Sequence, residues 1–272
     1  MRILIRTSKW AIWARRLGSV AVPLVVIPVL LHRVRLIGGE LFLAAAATAG
    51  VVAFLAVLTA FAALVRLWQT GDHGWGKALL GLVLGLFCLA PFGYYASLAT
   101  RYPPVTDIAT TDRGLLPLIF EPGTDAMPPP KLLTALEQAA SFPNVATRTY
   151  PLGQMQTFEL VRRLMLDNGW EIRFERAPTT DNAPAQINAQ TTKIVGWREE
   201  AVVRVAGDAT SSSVDMRSSS LNAPHDFGSN GGRIESFLAA LDNSVTALLR
   251  DNPNANQPAE TEVEAQIEPP PA

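Results

Sequence analysis

The chain has a single cysteine, Cys88, and it lies inside an apolar run. One cysteine forms no intramolecular disulfide, and in such surroundings it reads as a small buried hydrophobe, not a reactive thiol. Histidines are almost as scarce: of three, only His225 falls in the polar C-terminal half. A Cys/His zinc cluster is therefore excluded, and neither a metal nor a cofactor is expected. No phosphate-cradling loop or nucleophile elbow has the required spacing. A hydrolytic array would have to use His225, Asp226 and the serines at 218–220, neighbours too close in sequence to line up as Ser-His-Asp. Long stretches also lack charge. Residues 41–65 and 78–98 contain no Asp, Glu, Lys or Arg. Proton relays, ion paths and voltage sensors each need such residues, so these runs read as an anchor and not a transporter.

Spanning a bilayer takes about 20 apolar residues. The runs 41–65 and 78–98 satisfy this, whereas 17–31 is short and holds Pro23 and Pro28. That first run is either a thin span extended by its flanks or a re-entrant segment. Residues 1–16 hold five basic residues, no acids, Trp10 and Trp13, which suits a basic segment in the headgroup region. No small-residue cleavage site follows, which argues against a removable signal peptide. Trp68, Trp75, Tyr94, Tyr95 and Tyr102 cluster near the ends of the later runs, as an aromatic belt would, and His32 and His73 read as interface residues. Gly81 and Gly85 form a small-xxx-small pair suited to packing between spans.

Charge divides the chain. Residues 1–100 carry nine Lys/Arg against Glu40 and Asp72, a net of +7, and residues 101–272 carry fourteen against 22 acids, a net of −8. The acidic part is a poor partner for nucleic acid. With three spans, the amino tail and the second loop (Arg66, Lys77) share seven basic residues on one side, against Arg33, Arg35, Arg101 and Arg113 on the other. The positive-inside rule then puts the tail in the cytoplasm and the soluble domain outside the inner membrane, in the periplasm of a Gram-negative source. If 17–31 does not span, the domain is cytoplasmic.

Residues 101–141 are Pro-rich and read as a linker and domain edge, with a short helix around 131–140. Beyond them come a strand at 145–150, a helix at 154–168 closed by Gly169, and strands at 170–174, 185–195, 201–205 and 213–219. In the strand at 170–174, Trp170, Ile172 and Phe174 are expected to point inward. A final helix follows, on which Ile234, Phe237, Leu238, Leu241, Val245 and Leu248 form one stripe. The order strand, helix, four strands, helix implies an α+β class, an antiparallel sheet with helices on one face behind N-terminal transmembrane helices. The soluble domain spans 142–250, and the tail 251–272, rich in Pro, Asn and Glu, is expected to be disordered.

Uncommitted polar residues concentrate between 214 and 233. Arg217, Ser219, Asp226, Asn230 and Arg233 combine guanidinium groups, a hydroxyl and a helix N-terminus, a set able to hold a carboxylate or phosphate. The same residues also suit a structural clasp, in which Asp226 caps the helix and Arg217 or Arg233 pairs with it. A membrane-tethered binding or scaffold module is expected, with membrane lipids and a small anionic or lipid-like ligand as partners. A membrane-anchored hydrolase-like enzyme near Arg217 and His225 is the alternative. Nothing in the pattern sets an oligomeric state. Glu199 and Glu200 read as solvent-facing turn charges with diverging side chains.

The segments DIATTDRGLLP, FPNV, NGWEI, TTKIVGWREEAVVRV and VDMRSSSLNAPHDFGSNGGRIESFLAAL occur in that order from Asp107. Together, over about residues 106–248, they resemble the bacterial and plastid domain of unknown function 1499 family, whose bacterial members carry membrane segments ahead of the domain. The resemblance implies a domain boundary and no activity. This chain has Gly231 and Gly232 where the family pattern often places a second basic residue before Arg233, which implies a weaker charged site there.

Overall fold

The computed structural model describes residues 7–119, 129–179 and 183–252. The tail expected to be disordered lies beyond residue 252, outside the described residues, as do residues 1–6. Three helices open the chain: α1 (Lys9–Arg33), α2 (Gly39–Thr70) and α3 (Trp75–Arg101), each long and apolar enough to cross a membrane. Residues 9–16, read above as a separate basic segment, form the opening turns of α1. One end of α1 lies where the Ser8 amide donates to the His73 carbonyl at 3.0 Å, and the other where Arg33 reaches the soluble domain. Its 25 residues rise about 37 Å, more than the roughly 30 Å of a hydrocarbon core. The run 17–31 therefore belongs to a continuous helix of spanning length, not a re-entrant segment.

Hydrophobic burial gives apolar helices no reason to associate inside lipid, so close backbone packing has to hold them. The buried residues at the seams are accordingly small: Ala11, Ala14, Gly18 and Ala21 on α1, Ala49, Ala53, Ala56, Ala60 and Ala63 on α2, and Ala78, Gly81 and Gly85 on α3. A methyl group on Gly81 would collide with the backbone of Ala14.

The rest of the described chain is one antiparallel sheet with helices on one face. Its strands are β1 (Asp107–Ala109), β2 (Arg148–Tyr150), β3 (Glu171–Arg176), β4 (Ala185–Thr192), β5 (Arg198–Gly207) and β6 (Ser212–Ser220). Their order is β1-β6-β5-β4-β3, with β2 also paired to β6. Strand β1 lies opposite residues 217–219 and β2 opposite residues 212–214, so β6 carries both. The Pro-rich stretch read as a linker thus supplies an edge strand. The helices are α4 (Ala135–Ser141), α5 (Gln154–Asp167) and α6 (Ser229–Asp251). Helix α5 ends as expected at Gly169, whose φ of 69° suits a residue without a side chain.

One core joins α5 and α6 to the sheet. It contains Phe158, Val161 and Met165 from α5, Ile187, Val203, Val205, Val214 and Met216 from the strands, and Ile234, Phe237, Leu238, Leu241 and Val245 from α6. Leu248 packs partly against it. Each fully buried side chain of this size contributes about 1.5–3 kcal/mol.

The opposite face differs from the expectation of a half-buried sheet. Ala109, Leu116 and Leu118 cover Val202 there, after a 3₁₀ turn at Arg113–Leu115. Asp215 and Ser219, polar residues of this face, are buried as well. Phe174 is the reverse case, 39% exposed. A register shift lies between Ile172 and Phe174, so Ile172 sits opposite core-facing Ala189 but Phe174 opposite Asn188 on the other face. A single inserted residue has reversed the alternation.

Candidate functional site at the junction of helices and domain

The five residues singled out by sequence do not converge on one ligand. Arg217 and Ser219 reach the face covered by residues 109–118, whereas Asp226, Asn230 and Arg233 lie at the N-terminus of α6 on the other face. Arg217 donates from Nε and Nη2 to both carboxylate oxygens of buried Asp107, at 3.1 and 2.6 Å, and from Nη1 to the Leu116 carbonyl at 2.9 Å. Arg113 holds the same carboxylate at 3.1 Å. Ser219 donates to the Thr106 carbonyl at 3.4 Å. These two residues therefore fasten β1 and its following turn to the sheet.

On the helix face Asp226 acts as the cap that sequence suggested. Its carboxylate accepts from the Gly228 amide at 2.9 Å and the Asn230 amide at 3.2 Å. Gly228, with φ at 79°, lies against Tyr102, where a methyl group would sit 2.6 Å from the ring carbon Cγ. Burial raises the Asp226 pKa, partly offset by those two amides. The clasp, however, uses different partners from those expected. Arg217 pairs with Asp107, and Arg233 pairs with Glu199.

Glu199, expected to face solvent, is fully buried at the centre of this network. Lys193 approaches its Oε1 at 2.8 Å, the Ser229 hydroxyl donates to the same oxygen at 2.7 Å, and Arg233 bonds its Oε2. Ser220 donates to Oε1 at 3.3 Å. Burial alone would raise this carboxyl, but Arg233 and Lys193 outweigh it and hold the pKa below the usual glutamate range. Behind them Arg233 donates to the Ser218 hydroxyl at 2.9 Å, and Ser218 to the Asn230 carbonyl oxygen at 2.8 Å. The serine hydroxyls near His225 are thus committed to Asn230, Thr106 and Glu199, and none of them bonds to the imidazole. Arg217 shares no hydrogen bond with it among the described residues. The geometry brings none of these serine hydroxyls to His225.

Of the two glycines before Arg233, only one is crowded. Gly231 packs directly on the Phe142 ring, leaving no room for a side chain, while position 232 is open.

A concave site forms elsewhere, between this network and the apolar helices. The turn joining β4 to β5 docks on the α1–α2 corner. His32 Nδ1 meets the Val195 carbonyl at 2.6 Å, Arg33 donates to the Ile194 carbonyl at 3.1 Å, and His32 stacks on Phe42 with Trp197 edge-on. His32, at the end of α1, is a buried joint between helix and domain. Between α1, α2, α3 and this turn lies a cavity of about 240 Å³. Val25, Val29, Leu43 and Phe92 are among its apolar lining residues, and the rings of Pro28 and Pro91 stand in its wall. Proline interrupts the helical hydrogen-bond ladder, a local irregularity that suits helices parting around a space. Tyr95, Lys193 and His225 supply its polar groups. His225 stacks on Phe227 at 4.3 Å, and burial lowers its pKa, favouring the neutral ring.

Lys193, Trp197 and Glu199 were missed as site residues, although all three fall within TTKIVGWREE, and Asp107 opens DIATTDRGLLP. Glu199 and Asp107 are acids within strands, whereas Lys193 and Trp197 flank the turn between β4 and β5. Their meaning depended on partners far away in sequence.

No curated protein and no solved structure matches the chain. A family model described as protein of unknown function (DUF1499) matches residues 123–241, a shorter stretch than the 106–248 expected from the motifs. The soluble domain of this chain, carried behind three apolar helices, belongs to the DUF1499 family.

Proposed function

We propose that the chain is a membrane-anchored binding module of the bacterial cell envelope, set in the inner membrane with its soluble domain in the periplasm. Its ligand is lipid-like and occupies the cavity between the helices and the domain. The observation carrying this reading is that both halves of the molecule line one chamber, apolar on the helix side and polar at Lys193 and His225. Ligand sites favour such concave, mostly apolar boundaries between units, with a few placed polar groups. Placement outside the cytoplasm rests on the seven basic residues flanking one end of the helices against four at the domain's end.

Two measurements test the proposal. Organic extraction of the full chain, purified in mild detergent, should yield a discrete lipid-soluble species by mass spectrometry. Ala46→Phe, which fills the cavity wall, should abolish it; equal recovery from both proteins would sink the binding role. A phosphatase reporter fused after residue 250 should be active only if the domain lies outside the cytoplasm, and its inactivity would reverse the sidedness.

A further inference from the structure

We infer that the cavity takes a single-chain amphiphile with an anionic oxygen head, a fatty-acid-type carboxylate, its chain among the apolar helices and its head at Lys193 and His225. This rests on the binding role proposed above and names what is bound.

At about 240 Å³ the cavity is smaller than the roughly 300–1,000 Å³ of pockets for drug-sized ligands, which favours one slender alkyl chain over the paired chains of a phospholipid.

The head follows from an inventory of donors. His225 Nδ1 accepts from the Phe227 amide at 2.9 Å, so the proton of the neutral ring sits on Nε2. That Nε2–H has no hydrogen-bond partner among the described residues, and neither does the Tyr95 hydroxyl. Lys193 Nζ commits two of its three donors, to Glu199 at 2.8 Å and to the Asp226 carbonyl at 3.1 Å, which leaves one. The acids nearby are already engaged, Glu199 by Arg233 and Lys193, and Asp226 by the amides it caps. Among the described residues the polar side chains lining this end of the chamber are donors, and the two carboxylates beside them are engaged. A carboxylate head, which only accepts, complements all three groups, and its hydrogen bonds to Lys193 are charge-assisted. The formal charges of Lys193, Arg233, Glu199 and Asp226 cancel, so an anion arriving there meets no net repulsion.

The test uses the full chain in phosphatidylcholine nanodiscs with two probes of equal chain length, carboxyl-labelled palmitate and hexadecanol. Palmitate should bind with its carboxyl resonance shifted, and hexadecanol should bind at least about tenfold more weakly. His225→Phe keeps the ring stacked on Phe227 but removes the donor, and Lys193→Met removes the charge while Arg233 still holds Glu199. Each should weaken palmitate by about tenfold and hexadecanol by clearly less. Ala46→Phe should abolish both. Equal binding of the two probes, with both head variants indifferent, would overturn the carboxylate and leave the apolar chamber standing. If neither probe binds the wild-type chain, the binding role itself is lost.

Discussion

Glu199 and Glu200 are adjacent on β5, both are buried, and the sheet sends them to opposite faces. Glu199 meets two cations and two hydroxyls. Among the described residues Glu200 meets N–H groups at hydrogen-bond distance, the Ile119 amide and the Asn188 side chain, both on its Oε1. Burial is the largest single contribution at each position, yet the outcomes are opposite. The cations pull Glu199 below the ordinary glutamate range, whereas burial pushes Glu200 above it, with Asn188, Ile119 and a more distant Arg217 offsetting only part. Two identical side chains one residue apart thus serve as a charged clasp and as a carboxyl biased toward its neutral form. What separates them is the supply of compensating charge on each face, not depth.

The clearest way to break this contrast is Glu199→Leu. It strands Arg233 and Lys193 in a buried site and should cost about 3–5 kcal/mol in denaturant unfolding of the full chain followed by circular dichroism. Arg217→Met attacks the other face, leaving Asp107 with Arg113 alone; the loss should be smaller, about 3 kcal/mol or less. Glu200→Gln replaces a carboxyl already biased toward neutrality with an amide of equal shape, and should stay within about 1 kcal/mol of wild type.

pH sharpens the comparison further. Glu199 has a lowered folded pKa, so its contribution is present above the ordinary glutamate value of about 4.3 and is lost as pH falls through the folded value. Glu200 has a raised folded pKa, so its contribution is present below about 4.3 and is lost as pH rises through the folded value. The stability gap between wild type and Glu199→Gln should close in acid. Glu200→Gln should gain on wild type as pH rises from about 4 toward neutrality. A curve of the opposite sign for either variant would show that its charge environment is assigned wrongly. The smallest effect belongs to a third carboxylate, exposed Asp208 in the β5–β6 turn, which accepts from the Thr210 and Ser211 amides at 2.7 and 2.8 Å. Those bonds, with the Thr210 and Ser211 hydroxyls, lower its pKa to about 2, so its carboxyl resonance should titrate near there, with no buried charge involved.

Much of the fold was legible in sequence because local periodicity carries it. The stripe of α6 and the apolar face of α5 follow from 3.6-residue spacing, which a helix obeys whatever it packs against. The exceptions have identifiable causes. Phe174 faces away from the core because a register shift precedes it, and a shift of one residue leaves no mark in an alternating pattern. Residues 107–109 read as linker because a three-residue strand is too short to show a period. The candidate site was half legible: Asp226 caps α6 as its position promised, but the ion pairs were misassigned. Arg217 finds Asp107 across 110 positions of sequence and Arg233 finds Glu199 across 34.

By itself the sequence determined which segments are helices apolar enough to span a bilayer, and which stripe of α6 is core. Each of these depends on residue type and spacing over a few turns. Only the tertiary structure decided which charges meet, which of two neighbouring glutamates is held charged, and that Lys193 and His225 border a chamber between helices and domain. Those outcomes depend on strand register and on contacts between distant segments. Electrostatic pairing and desolvation act through space, and neither keeps a record in local spacing.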